Sequence, residues 1–216
     1  RVVHRGSHSS ECTCDVSDVY KVPANILSTD AIWFALAKIA FMGAKVAEYF
    51  LGDTVLVVGA GPIGQMSVRW ARAAGAAKIT VVDMIEQRLE LAIQGGADSV
   101  FSQALSDDLL ASVNEASLGE LPKIVIDTTG NATVFQKALK FTQAKGKVII
   151  LGDTGSPASQ HLSPELIIKG LSIHGAHDCH TDEYWTNDKI FQLFFLLYFQ
   201  REFLLFFLLG YQYTFQ

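Results

Sequence analysis

The chain has 216 residues, which is enough for one large domain or two small ones with a buried core. Half of the residues are apolar and 18% are charged, which excludes an intrinsically disordered chain. The net charge of −5 gives no support for binding nucleic acid through a basic surface. Three cysteines are too few for a disulfide framework and suit a reducing compartment, so we expect a cytoplasmic protein.

The first part of the chain, residues 1–30, is polar and irregular, with one short strand predicted at Val19–Val22. The chain begins at Arg1 without the pattern of a signal peptide, and we expect further residues of the parent protein to precede it. Ala31–Phe50 carries large apolar residues at helical spacing. This spacing predicts one long helix that Gly43 weakens.

From Thr54 onward, short apolar runs alternate with helical patterns. The predicted strands are Val55–Val58, Ile79–Val82, Ser99–Phe101, Ile124–Ile126, Lys147–Leu151 and Leu171–His174. The predicted helices are Ile63–Ala74, Glu86–Gln94, Asp107–Ala116, Thr133–Thr142 and the short turn Pro164–Lys169. Strands that alternate with helices across short connections indicate an α/β fold, a doubly wound parallel sheet with helices on both faces.

The strongest functional signal is the glycine-rich run Gly59-Ala60-Gly61-Pro62-Ile63-Gly64, which follows a predicted strand and opens a predicted helix. Gly59 permits the tight turn out of the strand, Gly61 lets a pyrophosphate approach the backbone, and Gly64 lets the helix pack close to the sheet. Pro62 fits the first helical turn, where its missing N–H is not needed. The helix N-terminus then offers amide groups and partial positive charge to phosphates.

An acidic residue, Asp83, ends the next strand 19 residues after Gly64. A carboxylate there can accept hydrogen bonds from the adenosine ribose and would repel a 2′-phosphate, so the sequence favours NAD over NADP. Arg88 lies one helical turn further on. Two other interpretations stay open: a glycine-rich turn that binds nothing, and a site for a flavin or a bare nucleotide.

The fourth predicted strand ends in Ile126-Asp127-Thr128-Thr129-Gly130, and the fifth ends in Ile150-Leu151-Gly152-Asp153-Thr154-Gly155. Ligands of open parallel sheets lie beyond the carboxyl ends of the strands, so these residues are candidates for holding the nicotinamide half. The alternative is that Gly130 and Gly152 serve only tight strand-to-helix turns.

Taken together, these residues resemble the cofactor domain of zinc-type medium-chain alcohol and polyol dehydrogenases. The similarity begins at Gly52-Asp53-Thr54-Val55-Leu56-Val57-Val58 and continues through the glycine run. It also includes Val82-Asp83, Arg88-Leu89-Glu90-Leu91-Ala92, Gly96-Ala97-Asp98, Asp127-Thr128-Thr129-Gly130-Asn131, Gly146-Lys147-Val148-Ile149-Ile150-Leu151-Gly152 and Leu171-Ser172-Ile173-His174-Gly175. It covers roughly residues 31–180.

The resemblance implies a Rossmann domain beside a GroES-like catalytic domain, and hydride transfer between a hydroxyl carbon and NAD(P). We expect a truncated remnant of the catalytic domain at residues 1–30, an NAD-binding Rossmann domain with its leading helix at 31–180, and an apolar C-terminal tail at 181–216. The expected cofactor-binding residues are Gly59, Gly61, Pro62, Ile63, Gly64, Asp83, Arg88, Thr128, Thr129, Gly130, Leu151 and Gly152. Family members commonly dimerise through the strand that corresponds to Leu171–Gly175.

Zinc is the point at which the chain departs from the family. The Gly-His-Glu run that carries zinc ligands and the four closely spaced cysteines of the structural zinc site are both absent from the sequence. Where many members have a carboxylate near the metal, this chain reads Phe34-Ala35-Leu36-Ala37. The departure puts catalytic zinc in doubt and points to a zinc-independent branch, so we expect no metal ligand in this chain.

Two groups of residues with ligand chemistry stand apart from these family motifs. They are His4, His8, Cys12 and Cys14 near the start, and His174, His177, Cys179 and His180 after the sixth strand. Neither group has the paired spacing of a recurrent zinc site. We therefore interpret both as polar loop residues.

The tail is unusually apolar, with many Phe and Leu residues between Ile190 and Leu209 and the polar interruption Gln200-Arg201-Glu202. Each apolar half is too short to span a bilayer, so membrane insertion is not expected. Three explanations stay open: damage to the coding sequence, a helix buried in a dimer, and a segment at a membrane interface.

The sequence thus predicts the NAD-binding part of an alcohol or polyol oxidoreductase that is inactive as this fragment, with the catalytic residues outside the chain. The alternative is a non-catalytic dinucleotide-binding module that assembles with a partner through its apolar tail.

Overall fold

The computed structural model describes residues 1–6, 9–153 and 155–199. The alternating strands and helices predicted from the sequence form one six-stranded sheet, which is preceded by a small antiparallel ribbon. In that ribbon β1 (Val2–Val3) pairs with β2 (Tyr20–Lys21), which lies inside the strand predicted at Val19–Val22.

The six-stranded sheet is parallel throughout, in the order β5-β4-β3-β6-β7-β8. Its strands are β3 (Thr54–Val58), β4 (Lys78–Asp83), β5 (Ser99–Ser102), β6 (Ile124–Asp127), β7 (Lys147–Ile150) and β8 (Ser172–Gly175). The central strands β3 and β6 are buried along their whole length, as their continuous apolar sequences require. The chain crosses from β5 back to the far side of β3, which places the switch in strand order between β3 and β6.

Helices cover both faces of the sheet, which confirms the predicted doubly wound α/β fold. The helices of the described residues are α1 (Ser28–Ala31), α2 (Phe34–Ala47), α3 (Pro62–Ala73), α4 (Glu86–Gln94), α5 (Leu110–Ala116), α6 (Ala132–Phe141), α7 (Glu165–Ile168) and α8 (Asn187–Phe199). Asn131 caps α6, because its side-chain oxygen accepts hydrogen bonds from Thr133 N and Val134 N.

Alternate residues of each strand face opposite cores. Val55 and Val57 pack with α3 and α4 on one face, whereas Leu56 and Val58 pack with α5 and α6 on the other. This division follows from the two-residue period of a β-strand. It explains why every position of β3 is apolar or half-apolar in the sequence.

The leading helix differs from the prediction in two ways. The predicted single helix Ala31–Phe50 is broken at residues 32–33 and ends at Ala47, because Glu48 adopts a left-handed conformation with φ of 50°. α2 continues through Gly43, which lies buried in the middle of the helix. A Cβ there would lie 2.6 Å from the Leu151 side chain, so the glycine permits close packing of α2 against the end of β7.

The helix predicted over Asp107–Ala116 also begins differently. Asp107–Leu109 form a 3-10 turn, and the α-helical part starts at Leu110. Short 3-10 turns are common at helix ends, where the backbone tightens to pair its last groups.

A third core lies outside the sheet, where α2 packs against the N-terminal segment and α8. It contains Tyr20, Ile26 and Phe34 together with Phe191 and Phe194 from the tail. The rings of Phe34 and Phe191 meet edge to face with centroids 5.0 Å apart. One face of α8, in the described part of the apolar tail, is therefore buried against its own chain. Residues 200–209, with the polar run Gln200-Arg201-Glu202, lie outside the described residues.

A buried hydrogen bond joins the end of α8 to α1. The Tyr198 hydroxyl donates to Asp30 Oδ2 at 2.6 Å, and Asp30 is 1% exposed. Burial, together with this carboxylate, raises the pKa of Tyr198 to about 12. Asp30 Oδ1 is buried without a hydrogen-bond partner, so the tyrosine is important for satisfying this carboxylate.

Among the described residues, no helix is both long enough and apolar enough to cross a bilayer.

Tyr198→Phe should lower the free energy of unfolding by about 1–3 kcal/mol, because it removes the hydroxyl that pairs a buried carboxylate. Urea denaturation measures the change. Tyr184→Phe is the matched control, since Tyr184 is exposed and should change stability by less than about 0.5 kcal/mol. Equal stability of the two variants would show that the tail helix does not depend on this bond.

Candidate dinucleotide site

The glycine run forms the tight turn between β3 and α3. Gly59 has φ of +91°, a left-handed conformation that favours glycine. A Cβ at Gly59 would also lie 2.6 Å from Thr128 Oγ1, so a side chain is excluded on two grounds. Gly59 N donates to Val82 O at 2.8 Å, which ties the turn to the neighbouring strand β4.

Gly64 brings α3 into direct backbone contact with this turn. A Cβ on Gly64 would overlap the carbonyl group of Gly59, so only glycine allows the helix to lie this close. Gly61 is different, because the space around its missing Cβ is open to 4 Å. The turn therefore has one glycine that is needed for internal packing and one that leaves room in front of the helix.

The N-terminus of α3 begins beside this open space. Gly61 is the N-cap residue, no side chain caps the helix, and Pro62 is its first residue. The first-turn amide groups of a helix have no partner within the helix, and they carry partial positive charge. Ile63 turns its side chain toward the third core, so only its backbone can serve the opening.

Asp83 lies at the end of β4 and is bonded to the glycine turn. Its Oδ2 accepts from Ala60 N at 2.6 Å and its Oδ1 accepts from Ile85 N at 2.9 Å. Arg88 Nη1 lies 3.8 Å from the same Oδ2, and the Asp83 side chain is 8% exposed. The carboxylate is thus held in a fixed orientation beside the turn.

Gln65 also holds the glycine turn in place, and it is not among the residues predicted from the sequence. Its buried Nε2 donates to Ala60 O at 3.0 Å and to Arg88 O at 2.8 Å. The side chain links the glycine turn to the start of α4. A buried glutamine in an amphipathic helix gives no local signal of this task.

A cavity of about 540 Å³ opens at the carboxyl ends of β3, β4 and β6. Four of the predicted residues line it, namely Gly59, Asp83, Arg88 and Thr129. The remaining lining residues are Val58, Val82, Met84, Ile85, Gln103, Ala104, Leu105, Asn131, Thr133, Val134 and Lys137. The wall is mainly apolar with a few polar groups, which is typical of a small-molecule site.

Two groups of residues that line this cavity are not among the predicted cofactor-binding residues. Gln103, Ala104 and Leu105 follow β5, and the rule that ligands lie beyond strand ends could have identified them. Lys137 comes from the second turn of α6, where its Nζ donates to Leu105 O at 2.6 Å. Nothing in the local sequence connects this lysine with the glycine turn.

Thr128 and Thr129 make contacts within the protein. Thr128 Oγ1 donates to Val58 O and Gly59 O, both at 3.0 Å, and so holds the glycine turn from the side of β6. Thr129 Oγ1 donates to Asp127 Oδ1 at 2.7 Å. Burial raises the pKa of Asp127, and the hydrogen bonds from Thr129 oppose this rise.

Gly130, Leu151 and Gly152 lie where two strand-end loops pack against each other. Gly130 has φ of +66°, and a Cβ there would overlap the carbonyl group of Asp153. A Cβ on Gly152 would overlap the backbone nitrogen of Gly130. These contacts account for both glycines as packing residues, and a role in holding the nicotinamide stays a prediction.

The two groups of ligand-type residues behave differently in the structure. His4, Cys12 and Cys14 come together, with one ligand atom of each within 4.8 Å of the others. His8, in the same predicted group, lies outside the described residues. In the second group His177 Nδ1 contacts Cys179 Sγ at 2.9 Å, but no three of its four residues form a cluster.

Comparison with known proteins agrees with this geometry. The family described as zinc-binding dehydrogenase matches residues 62–191. The chain belongs to this family. It is 34% identical over 136 residues to an L-threonine 3-dehydrogenase of Bacillus licheniformis, and 32% identical over 157 residues to the sorbitol dehydrogenase of Bos taurus.

A solved structure of the alcohol dehydrogenase TADH from Thermus sp. ATN1 superposes with a TM-score of 0.72 at 26% sequence identity. The match covers 85% of this chain and 51% of that chain. The two sequence matches cover 63% and 70% of this chain, and 39% and 44% of the threonine and sorbitol dehydrogenases. The chain therefore spans about half the length of its relatives or less.

The family's zinc does not fit the residues of the leading helix. Phe34 and Ala37 are buried in the third core, and no carboxylate occupies the stretch Phe34-Ala35-Leu36-Ala37. The Gly-His-Glu run is absent from the sequence. No step of the chemistry proposed for this chain therefore involves catalytic zinc.

Gly64→Ala and Gly61→Ala should differ in stability, because Gly64 is needed for backbone packing and Gly61 leaves open space in front of the helix. Gly64→Ala pushes the backbone of α3 away from Gly59, and we expect a loss of about 1–3 kcal/mol in the free energy of unfolding. The methyl group of Gly61→Ala would lie in open space, so the free energy of unfolding of this variant should stay within about 1 kcal/mol of that of the parent chain. Urea denaturation of both variants tests this order, and a reversed order would contradict the geometry of the turn.

Proposed function

We propose that this chain is the NAD(H)-binding part of an oxidoreductase that transfers a hydride between a hydroxyl carbon and nicotinamide. The observation that carries the proposal is the pairing of an open glycine turn with the fixed Asp83 carboxylate at the mouth of one cavity. Membership of the dehydrogenase family supports the same conclusion.

Different groups of the protein bind different parts of the cofactor. The amide groups at the start of α3, reached past Gly61, bind the diphosphate, because they combine unpaired N–H groups with partial positive charge. Asp83 accepts hydrogen bonds from the adenosine ribose, and the apolar cavity beside it takes the adenine. When NAD is bound, its nicotinamide supplies the hydride acceptor.

Asp83 also supports NAD over NADP. Its carboxylate lies at the cavity mouth, where a 2′-phosphate would meet a negative charge. The Arg88 guanidinium also lines the cavity, and its Nη1 lies 3.8 Å from Asp83 Oδ2, so it partly balances the charge of that carboxylate. A phosphate would have to compete with Asp83 for the arginine.

The nicotinamide half and the substrate belong to the other end of the site. We assign the nicotinamide to the region beyond Thr128, Thr129, Gly130, Leu151 and Gly152, where the β6 and β7 loops meet. The substrate is a small alcohol or polyol held mainly by the remainder of the parent protein, so this chain alone should turn over little substrate. The three cysteines form no disulfide, which supports a reducing, cytoplasmic setting.

A homodimer through the sheet edge is the assembly we propose. β8 is the last strand of the sheet and is partly exposed, so its outer edge can pair with a second copy. The rival proposal, assembly through the apolar tail, has less support because the inner face of α8 is already covered by α2.

Asp83→Ser should weaken NAD binding roughly 10- to 100-fold, because hydrogen bonds to charged groups contribute about 1.5–3 kcal/mol. NADP binding should change less, since a repulsive charge is lost as well, and the NAD-to-NADP preference should shrink. Titration calorimetry with both cofactors measures this. Glu86→Ser removes a nearby exposed carboxylate as a control, and an unchanged preference in Asp83→Ser would contradict the assignment.

Gly61→Val should abolish NAD(H) binding while the fold is retained, because its side chain would fill the space in front of the α3 amides. NADH fluorescence titration measures binding, and circular dichroism checks the fold. Gly61→Ala should bind with intermediate affinity. Full affinity in a folded Gly61→Val chain would show that the turn is not the diphosphate site.

A further inference from the structure

The N-terminal segment brings together three side chains that can bind a metal. His4 Nε2 lies 3.1 Å from Cys12 Sγ, and the ligand atoms of His4, Cys12 and Cys14 all lie within 4.8 Å of one another. An imidazole nitrogen and two thiolates around tetrahedral zinc are about 3.5–3.8 Å apart, given Zn–N and Zn–S bonds of about 2.1 and 2.3 Å. The cluster therefore needs only small side-chain movements to surround an ion.

The backbone on both sides of the cluster is held in place. His4 directly follows β1, which pairs with β2, and so the loop between them is closed at its base. Cys14 directly precedes Asp15, whose carboxylate accepts from Ser17 N at 2.9 Å and caps the 3-10 turn Val16–Asp18. These contacts fix the two ends of the loop independently of any metal.

Arg5 and Gly6 fix the orientation of His4 further. Arg5 forms an ion pair with Asp178, a residue that is 6% exposed, and this anchors the chain directly after His4. The His4 ring lies on Gly6, where a Cβ would overlap the ring. A glycine is thus required for the imidazole to lie where it faces the thiols.

The surroundings of the thiols favour a cation. Asp15 directly follows Cys14, and Asp18 lies at the end of the 3-10 turn that Asp15 caps. Their negative charges attract a divalent ion, whose binding to the two cysteines releases the thiol protons.

We propose that His4, Cys12 and Cys14 bind a Zn²⁺ ion and leave its fourth coordination position to water. Imidazole and thiolate are ligands that zinc prefers. The site differs from the zinc sites implied by the family resemblance, because it uses a Cys-x-Cys pair with a histidine eight residues before it. It also stands independently of the dinucleotide site.

The first test uses the full chain, reduced and freed of metal, without any variant. Zn²⁺ should bind with 1:1 stoichiometry in titration calorimetry and should protect Cys12 and Cys14 from alkylation by N-ethylmaleimide. Cys179, which lies outside the cluster, is the internal control and should be alkylated with or without Zn²⁺. Mass spectrometry of the peptides reads the outcome, and equal alkylation of all three cysteines in the presence of Zn²⁺ would overturn the proposal.

Ligand variants provide the second test, with Co²⁺ as a spectroscopic probe. The parent chain should develop a thiolate-to-cobalt charge-transfer band that Zn²⁺ removes. His4→Ala, Cys12→Ser and Cys14→Ser should each weaken binding roughly 100-fold or more, since even outer-shell partners contribute roughly 10- to 100-fold. Gly6→Ala should weaken it about 10-fold through displacement of the ring.

Cys179→Ser is the matched control and should bind like the parent chain. A band that survives in both Cys12→Ser and Cys14→Ser would overturn the proposal. Unchanged affinity in His4→Ala would do the same, because it would reduce the site to a surface thiol pair.

Discussion

The close approach of α3 to the turn after β3 is the constraint on which the site depends. Gly64 lies directly against the carbonyl group of Gly59, whose oxygen also accepts from the Thr128 hydroxyl at 3.0 Å. Asp83 reaches the same turn through Ala60 N. Three neighbouring strands are therefore tied to one backbone loop, and the N-terminus of α3 cannot turn away from the cavity without breaking these contacts.

The sheet and its glycine turn could be predicted from the sequence because their signals are local. A buried parallel strand must be apolar at every position, and Val55–Val58 shows this directly. The order of glycines and the acid at Asp83 carry the backbone requirements of the turn. Between Thr54 and Gln94 the predicted strand and helix boundaries agree with the structure to within one residue.

What could not be predicted depends on contacts between distant residues. The third core joins Tyr20 and Phe34 to Phe191 and Phe194, more than 150 residues later, and no local pattern reveals such a partner. Lys137 is unpredictable for the same reason, because it lines the cavity only where its Nζ reaches Leu105 O in the segment after β5. Gly43 is a similar case. Helix propensity predicts a weak point there, whereas in the structure the glycine lets α2 pack against the distant Leu151.

The N-terminal segment is joined to the sheet domain by electrostatics as well as by apolar packing. Asp178, which follows β8, is buried beside two cations: it pairs with Arg5 and lies 4.0 Å from Lys38 Nζ. Burial, and then the charge of Arg5, lower the pKa of Lys38. A buried charge without a partner is costly, and Arg5 therefore stabilises the position of the first residues against the end of the sheet. Residues 1–6 are therefore held against the end of the sheet, although their polar sequence does not indicate this contact.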